Sequence, residues 1–340
     1  MRSTRDQPDD QPGAYQIHIL YVEPPGAAGR RDVDGSLRRS VTAWREWMAR
    51  QTGGPKLRFD TCDGVLDVTY VKLPPGQDQL ARALGSDDPD PDLRGPTYFR
   101  DRLERDLKQT FHDSRKLYLV YYEGLALGPC ANAAQPPGRF AAVYLDGRYE
   151  TTPLTAAAPA GATTIEVYDP SEIGGLPQVP FEATLGKEKV KVKKVARMRV
   201  TLDSGLVGPH PIGTLLQAEN PPLNCREHKF SADGQALGFL EFTGAHESLH
   251  LLGIVSKHAP NHNDKRPQHL KSTSQGGTND LMYQGDSDWG CGNPKVSAPC
   301  VLDPANKEYF RLPPDSQLPD LAKSVFLELP PPGAKLPPSW

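Results

Sequence analysis

The sequence predicts an α+β fold: a mixed sheet with helices packed on it, a loop-rich C-terminal half, and a small antiparallel β module set into the chain. Three observations lead there. The first 150 residues alternate strand-like and helix-like segments in the order β-α-β-β-α-β. Residues 151–218 lose all helical periodicity and instead alternate apolar with charged side chains. An apolar, histidine-bearing helical segment follows and leads into a stretch dense in glycine and proline.

Each element has its own signal. YQIHILYV (15–22) reads as a strand. Residues 36–50 place Leu37, Val41, Trp44 and Met48 on one helical face, with Asp34 or Ser36 available as the cap. LRFDT (57–61) and VLDVTYVKL (65–73) are rich in β-branched and aromatic residues and flank an Asp63-Gly64 turn. Residues 74–96 repeat proline and aspartate and read as a loop. A second helix is expected over about 97–112, with Phe99, Leu103, Leu107 and Phe111 on one stripe. KLYLVYYEG (116–124) and FAAVYLDG (140–147) read as buried strands.

The expected organisation follows. Residues 1–14 form a disordered lead-in, and 15–150 with 219–325 form one discontinuous domain. Residues 151–218 are the inserted β module, and 326–340 a proline-rich tail. The lysines at 187–194 read as the solvent face of strands whose inner face is Val190, Val192 and Val195. The insert also resembles a short β module of bacteriophage virion proteins, on its Ala-rich lead, its Thr-Thr-Ile strand and HPIGTLL (210–216). That resemblance implies a binding or spacer role.

Composition narrows the function. A formal net charge of -3 gives no footing for nucleic acid or an anionic membrane surface. No apolar run approaches the length of a membrane span. The N-terminal residues carry no apolar signal core, so export requires a signal already removed or another route. The five cysteines form no C-x-x-C pair. Cys291 with Cys300, and Cys130 with Cys225, are the expected disulfides, leaving Cys62 free, and this arrangement favours an oxidising, extracellular setting. Five reduced thiols in a cytosolic protein are the alternative.

The chemistry lies in QALGFLEFTGAHESLHLLG (235–253). His246 and His250 are four apart and project from one helical face, as two ligands of a zinc ion do, with Glu247 beside them. Such a metal polarises a carbonyl and acidifies water, and the carboxylate moves the proton. Gly253 can end the helix in a left-handed conformation and turn the chain back toward a third ligand. Five of the nine histidines lie between 246 and 269. His258, His262 and His269, with Asp280 as an oxygen donor, are the candidates for that ligand.

Through Gly253 these residues resemble the metzincin zinc endopeptidases, whose signature is H-E-x-x-H-x-x-G-x-x-H followed by a methionine turn. NDLMYQG (279–285) resembles that turn, with Met282 under the metal. HESLHLLGIV, HAPN, PQHL and NDLMY are similar to a metzincin-type group of secreted actinobacterial proteins. The resemblance implies a metzincin-like mixed sheet, Zn²⁺ as cofactor, a polypeptide substrate along the edge strand, and an extracellular enzyme. The usual slot for the third ligand falls on Ser256, a poor zinc ligand. The group's Gly-His histidine aligns with His269, which becomes the preferred ligand, ahead of His258.

Several residues carry two readings. Tyr283 is either an oxyanion donor or a packed surface tyrosine. Asp264, Asp286 and Asp288 lack the spacing of a calcium loop and read as turn residues. Glu308 is the one downstream candidate for a glutamate ligand of the gluzincin kind, and it lacks a convincing helix. The function these motifs lead one to expect is that of a zinc endopeptidase, with Glu247 as general base and acid. The alternative is a binding protein with a structural or vestigial zinc site, whose β module recognises a surface.

Overall fold

The computed structural model describes residues 2–76, 99–128, 130–148, 150–170, 175–219, 237–271, 277–284, 291 and 300–338. Its centre is a five-stranded mixed sheet in the order β4-β1-β5-β7-β6. The strands are β1 (Gln16–Glu23), β4 (Val68–Lys72), β5 (Lys116–Leu127), β6 (Ala131–Ala133) and β7 (Phe140–Arg148). Strands β4, β1, β5 and β7 run parallel, and β6 returns antiparallel at one edge. A two-residue hairpin, β2 (Thr61–Cys62) with β3 (Val65–Leu66), leads into β4.

Both faces of this sheet are buried, which is why its strands read as nearly continuous apolar runs. Ile17, Ile19, Tyr21, Leu119, Tyr121 and Val143 face α1 (Ser36–Thr52) and α3 (Phe239–Leu251). Leu20, Val22, Val120, Tyr122, Ala142 and Tyr144 face α2 (Phe99–Leu107). The second helix is shorter than its stripe suggests, giving way to turns before Phe111, which is still buried. Residues 57–61 do not form one strand. Leu57 bridges Leu327 and Phe59 bridges Ile17, so the segment divides itself between two partners.

The second sheet spans Thr151 to Ala218 in the order β8-β13-β10-β11-β12-β9. Its strands are β8 (Thr151–Pro153), β9 (Thr164–Glu166), β10 (Phe181–Leu185), β11 (Glu188–Ala196), β12 (Arg199–Leu202) and β13 (Leu215–Ala218). A bridge between Leu154 and Val167 joins the two outer strands and closes the sheet into a barrel with a core of its own. Val190 and Val192 point inward, while Lys189, Lys191 and Lys193 point outward and pair with Glu219, Glu182 and Asp203. A register shift between Val192 and Lys194 puts two successive lysines on the outer face.

Two terminal segments differ from expectation. The lead-in is ordered. Ser3 bridges Thr69, Arg2 forks onto Asp32, and Asp10 accepts from the Asp63 and Gly64 amides. Its main anchor is the buried Lys116 ammonium, which donates to Asp6, Asp9 and Asp60 at 2.7–2.9 Å. A buried ammonium needs carboxylates around it, and two of the three come from the N-terminal segment. The proline-rich tail also packs. Phe326 and Leu327 are buried, Arg58 N–H donates to Phe326 O, and Glu328 N–H donates to Lys56 O.

Of the cysteines, Cys291 and Cys300 form a disulfide and Cys62 is free. Cys130 is also disulfide-bonded, and its expected partner Cys225 lies outside the described residues, as do Asp286 and Asp288. Among the described residues no helix is long and apolar enough to cross a membrane.

Candidate metal centre

Helix α3 carries the site. All thirteen of its residues are buried, because the sheet and α1 lie on one side and the C-terminal loops on the other. The helix ends in a Schellman motif. Gly253 N–H donates to His250 O, Ile254 N–H donates to Leu249 O, and Gly253 is left-handed at φ 67°. A Cβ on Gly253 would stand 2.9 Å from Pro338 and 3.2 Å from Pro136. Gly253→Ala is therefore expected to lower stability by about 2 kcal/mol or more, through φ strain and overpacking together. An unchanged urea midpoint for that variant would show that this close approach does not exist.

After Gly253 the chain turns sharply again at Val255, a buried β-branched residue held at φ 64°. This second turn carries Ser256 into its own loop, where its hydroxyl accepts from the His258 amide. His258 is exposed and His262 faces Asp264, so neither joins His246 and His250. The loop comes back through Gln268, again left-handed at φ 62°, and delivers His269.

The Nε2 atoms of His246, His250 and His269 form a near-equilateral triangle with sides of 3.0, 3.1 and 3.2 Å. Two of the rings have a fixed tautomer. His246 Nδ1–H donates to Leu281 O at 2.7 Å, and His269 Nδ1–H donates to Pro267 O at 2.9 Å. Their Nε2 atoms therefore present bare lone pairs to one point. Converging lone pairs repel each other unless a cation lies among them. A tetrahedral zinc with bonds of about 2.0–2.1 Å sets donor separations of about 3.3 Å, so this triangle fits such an ion. Burial, and the company of the other rings, draws His246 down to about 3 and His250 well below its ordinary value. Burial, against the pull of its carbonyl partners, draws His269 down to about 4. All three are neutral imidazoles at pH 7.

Glu247 lies on the same cavity wall. Burial pushes its carboxyl up to about 8, with the Arg100 charge opposing. A dication beside it would draw that value back down. The cavity is about 310 Å³ and its lining includes Cys130, β6, Gln268, His269 and Tyr283. Phe239, Phe242 and Thr243 of α3 form its apolar floor.

The 279–284 turn supports the triangle from behind. Leu281 supplies the carbonyl to His246, and Met282 is fully buried with its amide on Asp280 Oδ1 and its carbonyl taking the Leu270 N–H. Asp280 is not a ligand. It is committed to the Met282 and Asp303 amides and the Tyr309 hydroxyl, and burial pushes it up to about 7. Glu308 is not a ligand either, since its carboxylate holds the amide and side chain of Asn261. Tyr283 is buried and lines the cavity rather than the surface.

Strand β6 is the site element the sequence did not reveal, because Ala-Asn-Ala has no strand signature. Cys130 O accepts from Tyr144 N–H, and Ala134 N–H donates to Phe140 O. The alternation of an antiparallel ladder then turns the peptide groups of Ala131 and Ala133 away from β7, toward the cleft.

Comparison with protein-family models, with characterised proteins and with solved structures returned no match for this chain. The site is therefore read from its own geometry.

Proposed function

We propose that the chain is a zinc-dependent endopeptidase acting on extended polypeptide in an oxidising, extracellular setting. The observation that carries this reading is the triangle of three neutral imidazoles beside a buried glutamate, in a cleft floored by α3 and edged by β6. His246, His250 and His269 would hold the zinc. Among the described residues the cluster has three ligands and no fourth, which suits a catalytic site better than a closed structural one. When bound, zinc supplies Lewis acidity toward a carbonyl and toward water.

This chain's residues do the rest. Ala131 and Ala133 offer outward peptide groups on which a substrate strand can pair, holding the scissile bond over the triangle. Glu247 takes the proton of the attacking water and returns it to the leaving amine. Tyr283, which lines the same cavity, is the candidate hydroxyl donor to the developing oxyanion. The apolar floor of Phe239 and Phe242 excludes water from the bond.

The direct test is metal analysis of two variants. His269→Ala is expected to lose most of the bound zinc and all chelator-sensitive cleavage of a quenched fluorescent peptide. His258→Ala should retain both. Equal zinc content in the two variants would remove His269 from the site.

A further inference from the structure

A second cavity, of about 530 Å³, lies away from the histidines. It opens between the N-terminal segment, the approach to α1 and the β2–β3 hairpin. We infer that this cavity binds a small organic anion with an apolar body, its charged head between Arg5 and Arg38 and its body against Val33, Val65 and Leu66.

The charges lining the cavity divide into committed and uncommitted groups. Arg2 is committed: it forks onto Asp32 at 2.6 and 2.8 Å, donates to Gly29 O, and lies 3.9 Å over the Tyr70 ring. Asp32 is spent on that fork, and Asp67 accepts the Gln7 N–H. That leaves Arg5 and Arg38. Both are exposed cavity residues, and among the described residues neither guanidinium makes an ion pair. The start of α1 is already answered by Asp34, whose carboxylate accepts the Ser36 N–H, so the positive charge facing the cavity is that of the two guanidiniums. Two guanidiniums without a carboxylate partner on one cavity wall are suited to an anion.

The cavity walls speak for the rest of the ligand. Val33 is 39% exposed and Val65 44% exposed, among the few large apolar side chains left open to solvent. Both face this cavity. An inorganic anion would leave them wet, whereas an anion with a hydrocarbon or aromatic body would cover them. The inference does not depend on the metal site.

The test is calorimetric titration of the full chain with three probes: phenyl phosphate, octanoate and inorganic phosphate. Phenyl phosphate or octanoate is expected to saturate one site. Inorganic phosphate should bind at least tenfold more weakly than phenyl phosphate. The double substitution Arg5→Ala with Arg38→Ala should weaken the organic probe at least tenfold. Arg39→Ala, whose guanidinium donates to Asp34 O instead, should leave it within twofold. Absence of saturation by either organic probe, undiminished binding in the double variant, or equal binding of inorganic and phenyl phosphate would each overturn the inference.

Discussion

Glu247→Gln is expected to keep zinc at the wild-type level and to cut peptide hydrolysis about 10²–10⁴-fold. The substitution preserves size and shape in a fully buried position, so the helix and its ligands should stay where they are. His246 remains fixed by Leu281 O and His269 by Pro267 O, and neither bond involves Glu247. What disappears is, among the described residues, the one carboxylate on the cavity wall able to take a proton from water. The amide offers neither the charge nor the affinity for that proton. Metal content measured beside peptide turnover separates the possibilities. Brisk cleavage by the zinc-loaded variant would sink the assignment of Glu247. Loss of zinc together with activity would make it a structural residue instead.

The second large effect is expected on stability. Lys116→Met should destabilise the fold by about 3–5 kcal/mol at pH 7, the usual range when one partner of a buried ionic group is removed. Asp60 is fully buried, and burial alone would push its carboxyl up. The hydrogen bonds and charges of His18 and Lys116 outweigh that and hold it below its ordinary value. A depressed carboxyl contributes stability that is present above its unfolded value and is lost as pH falls through the folded one. Without Lys116 the sign reverses, and Asp60 is charged, buried and short of a cation. The deficit of the variant should therefore be largest at neutral pH and shrink toward about pH 4.5. Asp9 and Asp67, both raised by burial, act in the same direction once the cation is gone. Urea midpoints at the two pH values provide the check, and adding Asp60→Asn should recover part of the loss. A deficit that grows toward acid would refute this account.

How much could be read beforehand depended on whether the signal was local. The stripe of Leu37, Val41, Trp44 and Met48 and the strand over 116–124 declare themselves through spacing, and both lie where their periodicity puts them. His246 and His250 are fixed by helical geometry alone. His269 is different. Its place depends on two left-handed residues after the helix, one of them Val255, and on a third at Gln268. Valine and glutamine give no warning of that conformation, so only the likeness to a known pattern pointed to the histidine that joins the other two. Asp6 and Asp9 look like solvated charges in a polar leader. Their role appears only when Lys116, at the first position of β5, is seen to be buried. Ala131–Ala133 has no strand character of its own and is a strand because β7 pairs with it.

The position of the barrel also bears on biosynthesis. Chain growth delivers the whole parallel sheet by Arg148 and the closed barrel by Ala218, before His246, His250 or His269 has left the ribosome. All three histidines, the 279–284 turn and the tail that docks at Leu57 come afterwards. The three histidines thus come together after the strands of both sheets have been made. On the proposed reading, the growing chain has no centre capable of cutting its neighbours, or itself, until the histidine loop has followed the barrel.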